Sequence, residues 1–240
     1  MSNSSKHPAD TFLYQQWLCR TVDNYLGATK PVAWRGKDIR LSPRQFGAAL
    51  LQAYVGGVSL VWLAQAADLP LQTLKDWRRE PGFLWVMDWA KSGFAEDFCD
   101  HLTLTDYSME QYYDIAGEFA LLEDSLKVRV RVRLYGRLKS QGERLLSLHR
   151  AFLRMADSDL RLFRRLFLFF LILEEFWPSP AQARLRQKFL PLAREVVWPL
   201  LGTEAWLETE LAQAREKWRA KGDLRDRLAP LIRERFACLF

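Results

Sequence analysis

The chain has 240 residues, of which 49% are hydrophobic and 27% charged, and its formal net charge is +6. An apolar content near one half supports a packed core in one or two domains and excludes disorder of the whole chain. The low content of glycine and proline, 12 and 10 residues, argues against an all-β protein, which needs many turns.

The cysteines and the N-terminus indicate the compartment. Cys19, Cys99 and Cys238 are odd in number and far apart, which is not the pattern of a disulfide framework. Such cysteines fit a reducing compartment. The first ten residues are polar and lack the apolar run of a signal peptide, so we expect a cytoplasmic protein.

Helix-boundary residues recur along the chain and predict an all-α protein. Ser42 and Ser179 are each followed by proline, which combines an N-cap residue with the residue favoured at the first helical position. Helices are also predicted near the two ends, over residues 11–26 and 224–240. No Asn-Gly or Asp-Gly hairpin sequence occurs.

The segment 41–80 has a spaced pattern of residues that identifies a motif. A small residue, Ala64, is followed by Asp68 and Leu69, then by Leu74 and Trp77. This spacing resembles the homeodomain-like helix-turn-helix of transposases, phage terminase small subunits and bacterial regulators. The resemblance implies a three-helix fold whose core contains Ala64, Leu69, Leu74 and Trp77. Asp68 stands where that family has glycine, so we expect it in the left-handed turn conformation.

In that family the third helix lies in the major groove of double-stranded DNA. The resemblance therefore implies a DNA-binding protein, acting as a regulator or as the DNA-recognition subunit of a mobile-element or phage-type machine. Gln72 and Thr73 would lie nearest the base edges, while Lys75, Arg78 and Arg79 would contact DNA as charged groups.

Three apolar residues of the same motif support an alternative function. Val61, Trp62 and Leu71 occupy positions that an isolated helix-turn-helix exposes, and exposed apolar side chains imply a cover. The protein would then be a non-enzymatic interaction subunit of a larger complex, with the motif as a packing module. A Trp-rich helix over residues 83–94, containing Trp85 and Trp89, is expected to close the open side of the motif.

The sequence predicts three segments in chain order. Residues 1–40 form an N-terminal helix and linker, and residues 41–104 form the helix-turn-helix domain with its covering helix. Residues 105–240 form a helical bundle, in which we expect self-association because many helix-turn-helix proteins bind DNA as dimers.

The segment 127–134 alternates basic and apolar residues with period 2, as a strand does. Leu126, Val130, Leu134 and Leu138, however, recur every four residues and form one face of a helix. The chain offers no comparable strand as a partner, and an isolated strand is not stable. The favoured prediction is a helix.

Eight consecutive apolar residues, LFLFFLIL, occupy the segment 166–173. A membrane span needs about 20 such residues, and Arg165 and Glu174 bracket this run. We therefore expect a helix buried on all sides and no membrane contact.

Charge is distributed unevenly between two adjacent blocks. Residues 89–124 contain nine acidic and one basic residue, whereas residues 125–188 contain fifteen basic and five acidic residues. This distribution has two interpretations. Either the two blocks face each other, within the chain or in a homo-oligomer, or the basic block contacts nucleic acid. In the second case the phosphate contacts would include Arg150, Arg154, Arg161, Arg164 and Arg165.

The sequence does not favour an enzyme, a metal site or a cofactor. Cys99, Asp100 and His101 offer three kinds of metal ligand, but consecutive helical residues point about 100° apart. The spacing of Arg144 and His149 resembles the ribonuclease motif of the all-α HEPN family, which implies a remote alternative function. Phosphate-binding loops and serine-nucleophile motifs are absent from the sequence.

Overall fold

The structure is a computed structural model. It describes residues 32–34, 37–39, 41–54, 56, 59–66, 68–105, 107–201, 204–220 and 222. The helices predicted over residues 11–26 and 224–240 lie outside these residues.

Helices make up nearly all of the described residues, so the predicted all-α class is confirmed. A five-residue π-helical turn, Ala193–Val197, lies between the helices Pro180–Leu192 and Trp198–Leu201. The helices are α1 (Pro43–Tyr54), α2 (Leu60–Ala66), α3 (Leu71–Trp77), α4 (Pro81–Leu104), α5 (Met109–Leu121), α6 (Asp124–Arg150), α7 (Asp157–Phe176), α8 (Pro180–Leu192), α9 (Trp198–Leu201) and α10 (Glu204–Ala220).

A small hairpin precedes the helices. The strands β1 (Val32–Trp34) and β2 (Lys37–Ile39) pair in antiparallel orientation, with Val32 opposite Ile39. The two strands lie within the segment 1–40, for which a helix and linker are predicted and no hairpin. The segment has no Asn-Gly or Asp-Gly turn, and a single pair of three-residue strands cannot bury a core of its own.

The predicted helix caps are present. The Ser42 hydroxyl accepts a hydrogen bond from the backbone amide of Gln45 (3.2 Å), and the Gln45 side-chain oxygen accepts one from the amide of Ser42 (2.9 Å). This reciprocal capping box satisfies two amides that lack a helical partner. Ser59 and Ser179 each accept a hydrogen bond from the amide three residues on, over 3.0 and 3.4 Å.

The described residues divide into two compact units. The first comprises those up to Ala95 together with Leu121–Arg129, and the second comprises Glu96–Ala120 and Val130–Gly222. In the first unit the core side chains are large and fully buried, and the Tyr54 hydroxyl donates a hydrogen bond to the Ala90 carbonyl over 3.3 Å. The core of this unit includes Phe46, Leu50, Tyr54, Leu63, Leu74, Phe83 and Val86.

The helix α6 confirms the choice of helix over strand for the segment 127–134. Val130, Leu134 and Leu138 are fully buried in the second unit, as the four-residue repeat predicts. The side chain of Val132 is 63% exposed, although a period-2 pattern places it on the same face as Val130. The helical period therefore decides which apolar residues enter the core.

The apolar run 166–173 lies within α7 and is almost entirely buried in the second unit. Its rings pack against other aromatic side chains, as in the contact of Phe169 with Phe98, whose ring centroids are 5.9 Å apart. Among the described residues, no helix is long and apolar enough to cross a membrane. The prediction of a helix buried inside the protein is confirmed.

Candidate nucleic-acid interface

The connection between α2 and α3 is a tight left-handed turn. Asp68 has a φ of 50°, which lies in the left-handed region. The amide of Leu69 donates to the carbonyl of Ala64 (2.9 Å), and the amide of Asp68 donates to that of Gln65 (3.3 Å). These two bonds form a Schellman cap, which ends α2 and turns the chain into α3.

The four residues assigned to the motif core differ in burial. Ala64 and Leu74 are 5% and 0% exposed. Leu69 and Trp77 are only partly buried. Leu69 lies in the turn before α3, and Trp77 is the last residue of α3. Both side chains therefore lie at the ends of α3, whereas the buried Leu74 lies within it.

The polar residues of α3 and its C-terminal turn form the candidate DNA-contacting surface. Gln72 donates a side-chain hydrogen bond to Asp76 (3.0 Å), and a guanidinium nitrogen of Arg79 lies 3.7 Å from the same carboxylate oxygen. The side chains of Lys75 and Arg78 are exposed and have no hydrogen-bond or ion-pair partner within the described residues. Of the residues predicted to contact DNA, Thr73 is partly buried, and Gln72, Lys75, Arg78 and Arg79 are exposed.

The apolar residues near this surface are unevenly exposed. Val61 is 52% exposed, while Trp62 and Leu71 are partly buried. Trp89 of α4 stacks on Trp85 with ring centroids 5.8 Å apart. Trp89 also contacts the buried ring of Phe46, yet 43% of its surface stays exposed, so this aromatic pair covers the core only in part.

Acidic residues of α4 pair with three arginines in the first half of α6. Three arginines on one face of α6, four residues apart, each form an ion pair with a carboxylate of α4. One pair lies in the first unit and two lie in the second. The pairs are Arg129 with Asp88 (2.6 Å), Arg133 with Glu96 (3.3 Å) and Arg137 with Asp100. Asp88 lies just before the acidic block, whereas Glu96 and Asp100 belong to it. The two pairs in the second unit therefore support the interpretation that the acidic and basic blocks face each other within the chain.

The other arginines of the basic block have different surroundings. Three are exposed and have no hydrogen-bond or ion-pair partner in the described part of the chain: Arg150, Arg154 and Arg161. The guanidinium group of Arg164 lies 5.1 Å from the ring centroid of Trp206. Arg165 donates a hydrogen bond of 2.9 Å to the backbone carbonyl of Thr103.

The residues considered for metal binding do not converge. Cys99 is fully buried, and burial raises the pKa of its thiol to about 12. Asp100 is engaged by Arg137, and no group of three possible ligands comes together among the described residues.

Arg144 and His149, the two residues with ribonuclease-like spacing, have different surroundings. A guanidinium nitrogen of Arg144 lies 3.2 Å from a carboxylate oxygen of Asp159. Gln141 donates to the other oxygen of the same carboxylate over 3.1 Å. His149 is exposed in the last turn of α6.

The chain was also compared with known proteins. Comparisons with protein-family models, with curated proteins and with solved structures gave no match. The geometry of the molecule is therefore the basis for a functional proposal. Lys75 and Arg78 provide an exposed cationic surface on α3 and its C-terminal turn within the first unit.

Proposed function

We propose that the protein binds double-stranded DNA through α3, as a regulator or as the DNA-recognition subunit of a mobile-element or phage-type machine. The observation that carries this proposal is the exposure of Lys75 and Arg78 without acidic partners among the described residues. The arginines of α6 that face α4 are instead engaged by carboxylates. A non-enzymatic role in the cytoplasm belongs to the same proposal.

The positively charged side chains of this surface would bind DNA mainly by contacting its phosphates. A lysine or arginine that neutralises a phosphate releases a counterion, so binding weakens as salt rises. Gln72 and Thr73 lie in the first turn of α3, where side chains of a recognition helix meet base edges. Gln72 would exchange its hydrogen bond with Asp76 for one with a base.

The proposal is tested by fluorescence anisotropy with a random-sequence duplex at about 50 and 200 mM salt. For wild type we expect binding that falls steeply with salt. The double variant Lys75→Ala/Arg78→Ala should weaken binding and lower the salt slope by roughly two, about one for each phosphate contact. The matched control Arg150→Ala/Arg154→Ala removes the same charge from exposed, unpaired residues elsewhere. If the control lowers the slope and the α3 variant does not, the basic block binds DNA and the proposal for α3 is wrong.

A gain-of-affinity variant provides a second test. Asp76 places a negative charge on the proposed surface and engages both Gln72 and Arg79. Asp76→Asn removes that charge, so we expect several-fold tighter duplex binding at low salt and a smaller gain at high salt. Unchanged affinity at both salt concentrations would show that DNA does not approach this face.

A second candidate function rests on the exposure of Val61. An apolar side chain that is 52% exposed beside the partly buried Trp62 suits an interface with a protein partner or a second copy of the chain. Sedimentation velocity of wild type and Val61→Ser at tens of micromolar, roughly the range of weak association, tests self-association. An apolar interface should respond little to salt, in contrast to DNA binding.

A further inference from the structure

The second unit contains a cleft that the proposed DNA-binding surface does not use. Its volume is about 590 Å³, within the range of pockets that hold small molecules. Three helices, α5, α7 and α10, and the residues just before α5 contribute to it. The aromatic and cationic side chains of the lining are Tyr107, Tyr112, Arg161, Arg164, Arg165 and Trp206.

Arginines from one turn of α7 give the cleft its charge. Arg161, Arg164 and Arg165 are spaced three and four residues apart, so they share one face of the helix. Glu210 is the acidic residue in the described lining, which leaves a formal surplus of two positive charges. Arg161 is exposed and has no hydrogen-bond or ion-pair partner within the described residues.

Two of these guanidinium groups are held in place by the fold. Arg165 donates to the carbonyl of Thr103 over 2.9 Å, and Arg164 lies over the ring of Trp206. Groups that are already ordered lose little conformational freedom when a ligand binds. Planar guanidinium groups bind phosphate oxygens through parallel hydrogen bonds, which adds specificity to the charge attraction.

The start of α5 adds a second source of positive potential. Ser108 caps this 13-residue helix, accepting from the amide of Gln111 (3.3 Å) while the Gln111 side chain accepts from the amide of Ser108 (2.9 Å). Both Ser108 and Met109, the first helical residue, line the cleft. A helix N-terminus carries a partial positive charge and favours anions.

Aromatic and apolar groups complete the lining. Trp206 is 43% exposed, and Met109 and Leu168 provide apolar surface beside it. Tyr107 contributes a phenol, and burial raises the pKa of its hydroxyl to about 12, so it stays protonated at neutral pH. The cleft therefore offers cationic groups together with rings against which a flat ligand can stack.

We propose that this cleft binds a phosphate monoester with an aromatic body, of the size of a mononucleotide. The phosphate of such a ligand carries about two negative charges at pH 7, which matches the surplus of positive charge in the lining. Arg161, Arg164 and Arg165 contact the phosphate, and the aromatic body lies against Trp206. This site is separate from Lys75 and Arg78 and does not depend on DNA binding by α3.

Isothermal titration calorimetry of the full chain with three probes tests the site. AMP should bind, inorganic phosphate should bind more weakly, and adenosine should not bind, because the charge attraction requires the phosphate. Arg161→Gln should raise the Kd for AMP about tenfold, the effect of losing one charge-assisted hydrogen bond. The matched control Arg184→Gln, which alters an exposed and unpaired arginine of α8 outside the cleft, should leave the Kd unchanged.

Other outcomes overturn the proposal. It is wrong if AMP fails to bind at about 10 mM, a concentration above the weakest specific affinities, or if adenosine binds as well as AMP. An equal effect of Arg161→Gln and Arg184→Gln would reveal a general charge effect instead of a site. If Arg161→Gln weakens duplex DNA binding while AMP does not bind, the cleft contacts a nucleic-acid backbone instead. The variant Lys75→Ala/Arg78→Ala should retain AMP binding, which separates this site from the proposed function.

Discussion

The backbone amide of Glu123 donates a hydrogen bond of 2.8 Å to the carbonyl oxygen of Tyr54, the last residue of α1. This bond provides a partner for one of the terminal carbonyls that a helix leaves unsatisfied. The Glu123 carboxylate in turn accepts from the amide of Leu126 over 3.1 Å and so caps α6. One residue therefore stabilises the end of α1 and the start of α6.

Neighbouring side chains stabilise the charged form of the Glu123 carboxyl. Its carboxylate lies 2.9 Å from the Lys91 ammonium group and accepts a hydrogen bond from the Ser125 hydroxyl. Burial acts to raise the pKa of this carboxyl, but the hydrogen bonds from Ser125 and Lys91 outweigh burial and hold the pKa below its usual value of 4.5. A carboxyl whose pKa is lowered by folding stabilises the folded state in its charged form.

We expect Glu123→Gln to lower the free energy of unfolding at pH 7 by about 1–2 kcal/mol, because a charge-assisted cap and an ion pair are lost. The stabilisation by the charge is present above pH 4.5 and is lost as the pH falls through the lower pKa of the folded state. Urea denaturation at neutral and acidic pH measures this. The difference between wild type and variant should shrink at low pH, and a pH-independent difference would contradict the role of the charge. Glu143→Gln, at an exposed ion pair, is the control and should change stability by less than about 0.5 kcal/mol.

Burial along α6 predicts unequal losses of stability when either of two apolar residues, two positions apart, is replaced by alanine. Leu134 is 0% exposed and Val132 is 63% exposed. Leu134→Ala should lower the free energy of unfolding by about 2–5 kcal/mol through lost burial and a cavity. Val132→Ala should change it by less than about 0.5 kcal/mol. Similar losses in denaturant unfolding of the two variants would favour the period-2 arrangement over the helix.

The same helix contains two glycines with opposite surroundings. At Gly142 an added Cβ would overlap the ring of Phe189 from α8, whereas no atom lies within 4 Å of a Cβ at Gly136. Gly142→Ala should destabilise the protein by about 1–3 kcal/mol, as overpacking does. Gly136→Ala should stabilise it by about 0.5–1 kcal/mol through the higher helix propensity of alanine. Thermal unfolding followed by circular dichroism checks both signs, and a stabilising Gly142→Ala would show that α6 and α8 do not approach closely there.

The sequence was most informative where one segment determines its own structure. The caps at Ser42 and Ser179 and the repeat through Leu134 depend on residues a few positions apart, and each was found as predicted. Contacts between distant segments could not be predicted, because no local pattern specifies which helices pack together. The approach of Trp206 to Arg164 across α10 and α7 is such a contact, and it is part of the cleft that the sequence did not reveal.

The candidate DNA-contacting surface could be predicted only as a set of exposed positions. The resemblance to the helix-turn-helix family implied a left-handed turn at Asp68, and Asp68 has a φ of 50°. Burial of Trp77 was harder to foresee, because a helix of seven residues ends at this side chain and encloses it only in part. The hydrogen bond between Gln72 and Asp76 follows from their four-residue spacing, which the sequence shows once the helix is accepted.

The turn that follows α6 places a phenylalanine in the left-handed backbone conformation. Phe152 has a φ of 53° and its side chain is 97% exposed. The amide of Phe152 donates to the carbonyl of His149 (3.1 Å), and that of Leu153 donates to Leu148 (3.0 Å), which forms a Schellman cap. Glycine is the usual residue at this position because a Cβ is strained in the left-handed region.

Phe152→Gly should therefore raise the free energy of unfolding by about 1 kcal/mol, since relief of the strain outweighs the loss of an exposed ring that buries almost nothing. The measurement is urea denaturation at constant m value, compared with Phe152→Ala. Alanine retains the Cβ and its strain, so this control should lie within about 0.5 kcal/mol of wild type. Equal stabilisation by glycine and alanine would assign the effect to removal of the exposed ring. A loss of stability in both variants would mean that the ring makes a stabilising contact, and the strain at Phe152 would then not govern this position.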